Sequence, residues 1–217
     1  MRVEKTAGDP KFEKAIAPYR AKVDELLSEE VVYSDIPLEK GLPESELSNV
    51  MADAVFAYAK TWADSNHALL PEMCLLNSGG IRTALPAGML SMRHIYELMP
   101  FENEIVLIKL TPQNMHALVD YVASKGGAPV AGIRLKLDGD LAGPVELGGV
   151  PYAFDRDVWV ATSDFLAYGG DGMTFFANPP AYVETKIKIR DAIAGYFKQF
   201  KARGQSLPAV KDGRISR

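Results

Sequence analysis

The stretch Ala161-Thr-Ser-Asp-Phe-Leu-Ala-Tyr-Gly-Gly-Asp-Gly172 decides how the rest of this sequence is interpreted. Residues 158–161 are apolar and mostly favour β structure, so they predict a strand. The glycines that follow permit positive φ or the close approach of a ligand to the backbone. One tight loop thus carries an aromatic side chain, Phe165, and a lone carboxylate, Asp171. The pair suits a ligand with a flat apolar face and a hydroxyl-bearing rim, such as a nucleoside; the alternative is a glycine-rich hairpin turn with a core phenylalanine.

Composition limits the class of protein. The 217 residues indicate one domain or at most a tight pair, and 47% hydrophobic with 24% charged content is typical of a globular core. The formal net charge of −4 does not attract phosphate, so local basic groups must hold any bound phosphate, and we expect no nucleic-acid partner. The single cysteine, Cys74, excludes an internal disulfide. No apolar run is long enough for a transmembrane helix, and residues 1–10 lack the apolar core of a signal peptide.

Hydrophobic periodicity predicts irregularly interleaved helices and strands. Helices are predicted over residues 10–27, from about 45 to 62, from Ser91, over 112–124 behind Thr111 as N-cap, and over about 182–200. Strands are predicted over residues 31–36, 73–77, 104–110, 133–137, 145–150 and 158–162. This order favours an α+β fold, layered, with a mixed β-sheet covered by helices. We expect residues 1–30 to form a helical lead-in and residues 31–217 to form the domain.

A second motif, Asn77-Ser-Gly-Gly-Ile-Arg82, follows the predicted strand at residues 73–77. Its glycines open the backbone, and the Arg82 guanidinium can make a forked contact with a phosphate or carboxylate beside the Asn77 amide. The alternative is an ordinary strand-to-loop turn in which Arg82 forms a structural salt bridge.

A third segment, Pro100-Phe-Glu-Asn103, lies between a predicted helix and a predicted strand. Phe101 is either a core side chain, which is the commoner state of an isolated phenylalanine, or an exposed stacking surface. If it is exposed, Phe101 and Phe165 could sandwich one planar ring. The three histidines, His67, His94 and His116, lack metal-ligand spacing, and no nucleophile-elbow context surrounds Ser163. The sequence therefore predicts neither a catalytic residue nor a metal site.

Together these segments resemble the C-terminal, substrate-recognition domain of the 5′-nucleotidase and UDP-sugar hydrolase family. The resemblance runs in family order from about Val31 and covers nearly the whole chain. Its matching segments are residues 46–54, Asn77-Ser-Gly-Gly-Ile-Arg82, Glu97-Leu-Met-Pro-Phe-Glu-Asn103, Val130-Ala-Gly-Ile133, the glycine-acid block at 161–172 and Asp212-Gly-Arg-Ile215.

The resemblance implies a role for each matching residue. Phe101 and Phe165 would stack on the two faces of the base, and Asp171, beside Gly170 in the glycine-acid block, would accept hydrogen bonds from the ribose hydroxyls. Asn77 and Arg82 would hold the ribose-phosphate end. The substrate-binding set is thus Asn77, Arg82, Phe101, Phe165, Gly170 and Asp171.

Two departures from the family pattern stand out. Where the family usually has an arginine near the end of the second helix, this sequence has Thr61, with Lys60 adjacent. The motifs of the family's N-terminal metallophosphoesterase domain do not occur in this sequence. In the family those motifs place two metal ions that activate water and clamp the phosphate. We therefore expect divalent metals only in a partner, and no cofactor in this chain.

The resemblance implies recognition of the base and ribose of a nucleotide, in nucleotide catabolism, for phosphate-ester hydrolysis by a separate metallophosphoesterase domain or chain. We expect the chain to be inactive alone and, by resemblance, periplasmic or exported. Two alternatives stay open: a stand-alone nucleoside-binding protein without a hydrolytic partner, and a complete hydrolase whose site the motifs do not reveal.

Overall fold

The computed structural model describes residues 10–217. Its helices are α1 (Pro10–Ser28), α2 (Glu46–Ser65), α3 (Met92–Leu98), α4 (Pro112–Ser124), α5 (Asp164–Ala167) and α6 (Ile189–Ala202). Its strands are β1 (Glu30–Ser34), β2 (Met73–Leu75), β3 (Gly88–Ser91), β4 (Glu104–Leu110), β5 (Val130–Ala131), β6 (Ile133–Asp138), β7 (Leu141–Leu147), β8 (Val150–Pro151), β9 (Val158–Ser163), β10 (Ala181–Lys188) and β11 (Ile215–Ser216).

The described strands form one central sheet and two smaller ones. The central sheet has five strands in the order β10-β4-β9-β2-β5, in which β2 and β9 are parallel and the other pairs antiparallel. A four-stranded sheet has the order β11-β6-β7-β8, and β1 pairs with β3. The mixed parallel and antiparallel pairing under helices confirms the predicted α+β class.

Apolar side chains cover both faces of the central sheet. In β4, Ile105 and Leu107 pack into a hydrophobic cluster with α2 and α6, whereas Val106, Ile108 and Leu110 pack into a second cluster with α4 and β6. A strand that is buried on both faces is a continuous apolar run, which explains the sequence of β4. Because both faces of the sheet are buried, side chains that contact a ligand must come from the loops at the ends of its strands.

Three of the predicted helix starts, at Ser45, Ser91 and Thr111, are confirmed by their caps. The Ser45 hydroxyl accepts a hydrogen bond from the Ser48 N–H, and the Thr111 hydroxyl accepts one from the Asn114 N–H. At α3, Ser91 and His94 form a reciprocal capping box. Such caps satisfy N–H groups that have no partner within the helix.

The helix predicted over residues 182–200 is wrong in its first part. Residues 181–188 form β10, which pairs antiparallel with β4, and α6 begins only at Ile189. The run Tyr182-Val-Glu-Thr-Lys-Ile187 is rich in β-branched and aromatic residues. Val183 and Ile187 lie four residues apart, which also satisfies helical spacing, so periodicity alone misassigned a strand that the sheet stabilises.

The prediction of a single strand over residues 145–150 is also wrong, because the segment contains the turn of a hairpin between β7 and β8. Gly148 and Gly149 have φ of +58° and +81° and turn the chain between β7 and β8. A two-residue turn with positive φ at both positions matches the twist of the flanking strands. The prediction that Ile133, Leu135 and Leu137 point inward along β6 is confirmed.

Helix α1 has the predicted bounds to within one residue, but its apolar stripe lies in solvent. Phe12, Tyr19, Val23 and Leu26 are each more than half exposed. The described residues thus leave this stripe uncovered. Whether the chain divides into a lead-in at 1–30 and a domain at 31–217 stays a prediction, and the polar start at residues 1–9 lies outside the described residues. No helix within residues 10–217 is long and apolar enough to cross a bilayer.

Candidate functional site

The segments singled out by sequence meet at one edge of the central sheet because of its strand directions. Since β2 and β9 are parallel, the Asn77 loop after β2 and the Phe165 loop after β9 leave the sheet at the same edge. Strand β4 is antiparallel to β9, with Ile105 opposite Ser163, so the loop that enters β4 arrives there too. Loops at the carboxyl ends of neighbouring parallel strands are a common place for ligand sites.

These loops enclose a cleft of about 370 Å³, which we call the aromatic cleft. It is lined by Leu76, Asn77, Gly79, Gly80, Ile81, Arg82, Met99, Phe101, Asn103, Ser163, Phe165, Asp171 and Ile189. The volume falls in the range of small-molecule sites, and apolar walls with few polar groups are typical of them. Five of the six predicted substrate-binding residues therefore line one cleft.

The sixth residue, Gly170, does not line the cleft but supports the Phe165 ring. A Cβ atom at position 170 would lie 2.4 Å from Cε1 of Phe165, so only glycine leaves room for the ring in this position. Phe165 is 46% exposed and Phe101 is 40% exposed. Neither is a core side chain, which excludes the core alternative for both.

Asp171 is held in an unusual conformation. Its φ and ψ of 53° and 21° lie in the left-handed region, which is uncommon for residues other than glycine and often found at functional sites. Nδ2 of Asn77 donates a 2.5 Å hydrogen bond to Oδ2 of Asp171, and the Tyr121 hydroxyl donates to the Asp171 carbonyl at 3.0 Å. Burial and the nearby Asp171 charge raise the pKa of Tyr121, so its hydroxyl keeps the proton it donates. The carboxylate thus has a fixed direction.

Arg82 reaches the same cleft. Its Nη1 donates to the Gly79 carbonyl at 3.2 Å, and its Cζ lies 5.9 Å from the centroid of the Phe101 ring. No ion pair among the described residues involves Arg82, so the structural salt bridge suggested as an alternative is not formed there. Its guanidinium has donors left for an anion.

Lys60 and Thr61 take no part in this cleft. The Thr61 hydroxyl donates to the Ala57 carbonyl at 3.0 Å, and Nζ of Lys60 lies 4.5 Å from the Phe56 ring centroid. Arg82 is accordingly the one cation lining the aromatic cleft within residues 10–217.

The Phe101 loop is fastened to the junction of β10 and α6. The buried Arg190 donates to the Phe101 carbonyl at 3.4 Å and pairs with Glu102, which also pairs with Lys188. Hydrogen bonds from Lys188 and Arg190 lower the pKa of Glu102 to about 2. The Arg190 guanidinium also lies 4.2 Å from the Tyr96 ring centroid. The loop that carries Phe101 is therefore held in place by the side chains of Arg190 and Lys188.

Asp164 joins the two aromatic loops. Its Oδ1 accepts a hydrogen bond from the Phe165 N–H at 2.7 Å and another from Nδ2 of Asn103 at 2.9 Å. Since Asn103 is two residues from Phe101, one carboxylate oxygen sets the relative position of both phenyl-bearing segments.

Sequence reasoning assigned no role to Asn103, Asp164 or Arg190. Each acts through a partner that is distant in sequence, such as Asp164 with Asn103 across 61 residues. No periodicity or short motif encodes such a pair. The local signals available were that Asn103 and Asp164 both lie in segments that carry the family resemblance, and that Asp164 directly precedes Phe165.

A second cleft of about 610 Å³ adjoins the first, and we call it the basic cleft. It shares Leu76, Asn77, Gly79 and Asp171 with the aromatic cleft and adds Lys40, Gly41, Leu42, Ser78, Tyr121, Lys125, Gly127, Ala128 and Met173. The hydrogen-bonded pair of Asn77 and Asp171 therefore stands at the boundary between the two clefts.

Within residues 10–217, no group of three or more His, Cys, Asp or Glu side chains is placed to hold a metal ion. His94 caps α3, and His116 stacks on Phe154 with ring centroids 3.7 Å apart. That this chain carries no metal or cofactor stays a prediction.

The fold carries a cleft at the carboxyl ends of β2 and β9, and comparison with known proteins gives its family. The family model described as "5'-nucleotidase, C-terminal domain" matches residues 26–178, which is more than half of the chain. The chain therefore belongs to the 5′-nucleotidase C-terminal domain family, as the motifs predicted.

Two relatives share about a quarter of their aligned residues with this chain. The chain is 25% identical to the trifunctional nucleotide phosphoesterase protein YfkN of Bacillus subtilis, covering 98% of this chain and 15% of that protein. It is 24% identical to a 5′-nucleotidase of Vibrio cholerae, covering 84% of this chain and 33% of that protein.

Among solved structures, the 5′-nucleotidase precursor of Thermus thermophilus superposes with a TM-score of 0.76 at 24% identity. The match covers 97% of this chain and 44% of that one, and it supports the fold. The chain thus spans less than half the length of each of these three proteins.

Proposed function

We propose that this chain is the substrate-recognition domain of a 5′-nucleotidase and acts in nucleotide catabolism. It binds the base and ribose of a nucleoside or nucleotide, and a separate metallophosphoesterase domain or chain hydrolyses the phosphate ester. One observation carries the proposal: the same cleft is lined by the partly exposed rings of Phe101 and Phe165, the Asp171 carboxylate and the Arg82 guanidinium. Arg82 takes part in no ion pair within residues 10–217.

Each part of the cleft matches one part of a nucleotide. The faces of Phe101 and Phe165 stack on the base, and such stacking contributes about 1–3 kcal/mol per base. The Asp171 carboxylate accepts hydrogen bonds from the ribose hydroxyls, and contacts to an ionised acceptor are stronger than neutral ones. Arg82 pairs with the 5′-phosphate. The three contacts together recognise the nucleoside and its charge.

Hydrolysis belongs to the partner in this proposal. A two-metal centre generates a nucleophile and neutralises charge on the attacking and leaving oxygens. Asp171 and Arg82 orient a substrate, but the described residues offer no cluster of ligands for such a centre. The divalent metals would be held by the metallophosphoesterase partner, and this chain's own residues bind and orient the nucleoside.

By the same family relationship we propose that the chain works in the periplasm or is exported. Fractionation of the native host, with detection by an antibody against this chain, tests this. Recovery from the cytoplasm alone would contradict it.

Calorimetric titration of the purified chain with adenosine, AMP and UDP-glucose tests the function. We expect binding of adenosine and AMP, and no turnover of AMP with Mn²⁺, Co²⁺ or Zn²⁺ added. Turnover should appear when a metallophosphoesterase partner is supplied. Turnover that survives repurification and is lost on Asp171→Ala would place the chemistry in this chain. Binding with no partner encoded in the genome would favour a stand-alone nucleoside-binding protein.

A further inference from the structure

The turn at residues 169–172 carries the Asp171 carboxylate on a backbone that its own glycines do not fix. Gly169, Asp171 and Gly172 have φ of 86°, 53° and 77°, so three of the four residues lie in the left-handed region. Glycine adopts this region as readily as several others, whereas an aspartate adopts it at a cost in free energy. A contact from outside the turn is therefore needed to hold it in one conformation.

The Tyr121 hydroxyl provides such a contact. It donates a hydrogen bond to the Asp171 carbonyl at 3.0 Å, across 50 residues of sequence. No other loop, cap or side-chain hydrogen bond within residues 10–217 reaches this carbonyl. The Asp171 side chain accepts a separate hydrogen bond from Nδ2 of Asn77. Asp171 is thus held at two points, one on its backbone and one on its carboxylate.

Tyr121 is itself well anchored. It lies on α4, next to Val122, which is buried in the hydrophobic core. Its ring packs edge-on against the buried Phe175, with ring centroids 5.6 Å apart. Tyr121 lines the basic cleft and does not line the aromatic cleft. A helix residue outside the base site therefore fixes the backbone of a residue inside it.

We propose that Tyr121 is a positioning residue for ribose recognition, whose hydroxyl keeps the Asp171 carboxylate directed at the ribose hydroxyls. This proposal rests on the proposed function, in which that carboxylate accepts hydrogen bonds from the ribose. The strength of a hydrogen bond depends on the direction of its acceptor as well as on its distance. Without the Tyr121 contact the turn samples other conformations, and the carboxylate is in position for a smaller fraction of the time. Loss of the hydroxyl therefore weakens the binding of ribonucleosides more than that of nucleosides without ribose hydroxyls.

The ratio of adenosine affinity to 2′,3′-dideoxyadenosine affinity, measured by calorimetry, tests the proposal. A change in base stacking affects both ligands alike and cancels in this ratio. Tyr121→Phe keeps the ring, removes the hydroxyl and should lower the ratio about three- to fivefold. Tyr152→Phe is the matched control, because the Tyr152 hydroxyl also donates to a loop carbonyl, that of Arg156 at 2.7 Å, and Tyr152 lines neither cleft. It should leave the ratio unchanged.

A second background separates positioning from direct contact with the ligand. Asp171→Gly removes the carboxylate and suits the left-handed backbone at this position. In that background Tyr121→Phe should change adenosine affinity by less than about twofold, because no carboxylate remains to be positioned. A loss as large as the one in the wild-type background would mean that Tyr121 contacts the ligand itself, and it would overturn the proposal.

The other outcomes separate this proposal from the function on which it rests. An unchanged ratio in Tyr121→Phe, even if both affinities fall together, would overturn the positioning role and leave nucleoside recognition intact. A wild-type ratio of about one would also overturn it, since Asp171 would then make no contact with the ribose. Failure of the wild-type chain to bind adenosine would overturn both. If Tyr121→Phe does not fold, Tyr121→Met, which lacks the hydroxyl and favours a helix, answers the same question.

Discussion

The aromatic cleft and the basic cleft share a wall but differ in what they can bind. Phe101, Phe165 and the apolar side chains beside them give the first cleft two flat surfaces and a volume in the range of small-molecule sites. The second cleft is larger, and its charged additions are Lys40 and Lys125, both exposed. Size alone would favour the second as the ligand site, whereas shape and chemistry favour the first.

The two clefts also differ in how firmly their residues are held. Phe165 rests on Gly170, and its loop is tied through Asp164 to Asn103. Lys125 lies over the Tyr121 ring at 5.4 Å, and no salt bridge among residues 10–217 includes Lys125. A fixed site loses less entropy when it binds. The comparison predicts that changes in the aromatic cleft affect nucleoside binding and that changes in the basic cleft do not.

The largest effect is expected from Phe165→Ala. Loss of one stacking surface should weaken adenosine binding roughly tenfold or more, since each stack contributes about 1–3 kcal/mol. Phe101→Ala should act similarly. Tyr168→Ala is the matched control, because Tyr168 lies on the same loop, is 79% exposed and does not line the cleft. Calorimetry measures the three affinities, and unchanged binding by both phenylalanine variants would exclude a base clamp.

Asp171→Asn should have the next largest effect, and it should depend on the ribose. Removing the charge weakens the hydrogen bonds from the hydroxyls, so adenosine should lose several-fold in affinity. Its 2′,3′-dideoxy analogue lacks both hydroxyls and should lose little. Equal losses for the two ligands would mean that Asp171 does not contact the ribose and that the boundary between the clefts has another role.

Arg82→Ala should separate AMP from adenosine. In the proposed function the guanidinium pairs with the phosphate and not with the nucleoside, so AMP should lose several-fold while adenosine changes little. Arg134→Ala is a suitable control: Arg134 is an exposed arginine whose Nη1 donates to the Asp212 carbonyl, and it does not line the aromatic cleft. Weaker binding of adenosine and AMP by the same factor would indicate that Arg82 acts through the Phe101 ring instead.

The smallest effect is expected in the basic cleft. Lys40→Ala and Lys125→Ala should each leave adenosine affinity within about twofold of wild type, because neither side chain lines the aromatic cleft. A loss for either variant as large as that expected for Phe165→Ala would show that the ligand extends across the wall formed by Asn77 and Asp171. The same titrations used for Phe165 measure this.

Much of the fold could be predicted because its signals are local. Capping residues such as Ser45 and Thr111 mark helix starts, and alternation marks β6. The error at residues 182–188 arose where a strand also satisfies helical spacing and pairing with β4 decides between them. The hairpin at Gly148 and Gly149 was not predicted, because apolar periodicity does not detect a turn whose signal is the two glycines themselves.

The residues of the aromatic cleft could be named from motifs, but their support could not. Asn77, Phe101 and Phe165 lie in short segments with recognisable composition. The ties that position them join Asp164 to Asn103 and Arg190 to Phe101, across 61 and 89 residues. The antiparallel pairing of β4 with β9 and with β10 brings these residues together, and no single segment encodes that pairing.

A crystal of the chain soaked with adenosine tests the central claim most directly. The account predicts the base between the rings of Phe101 and Phe165, the ribose hydroxyls within hydrogen-bond distance of Asp171, and no ligand density beside Lys40 and Lys125. Adenosine bound in the basic cleft, or a base that contacts neither phenyl ring, would contradict it.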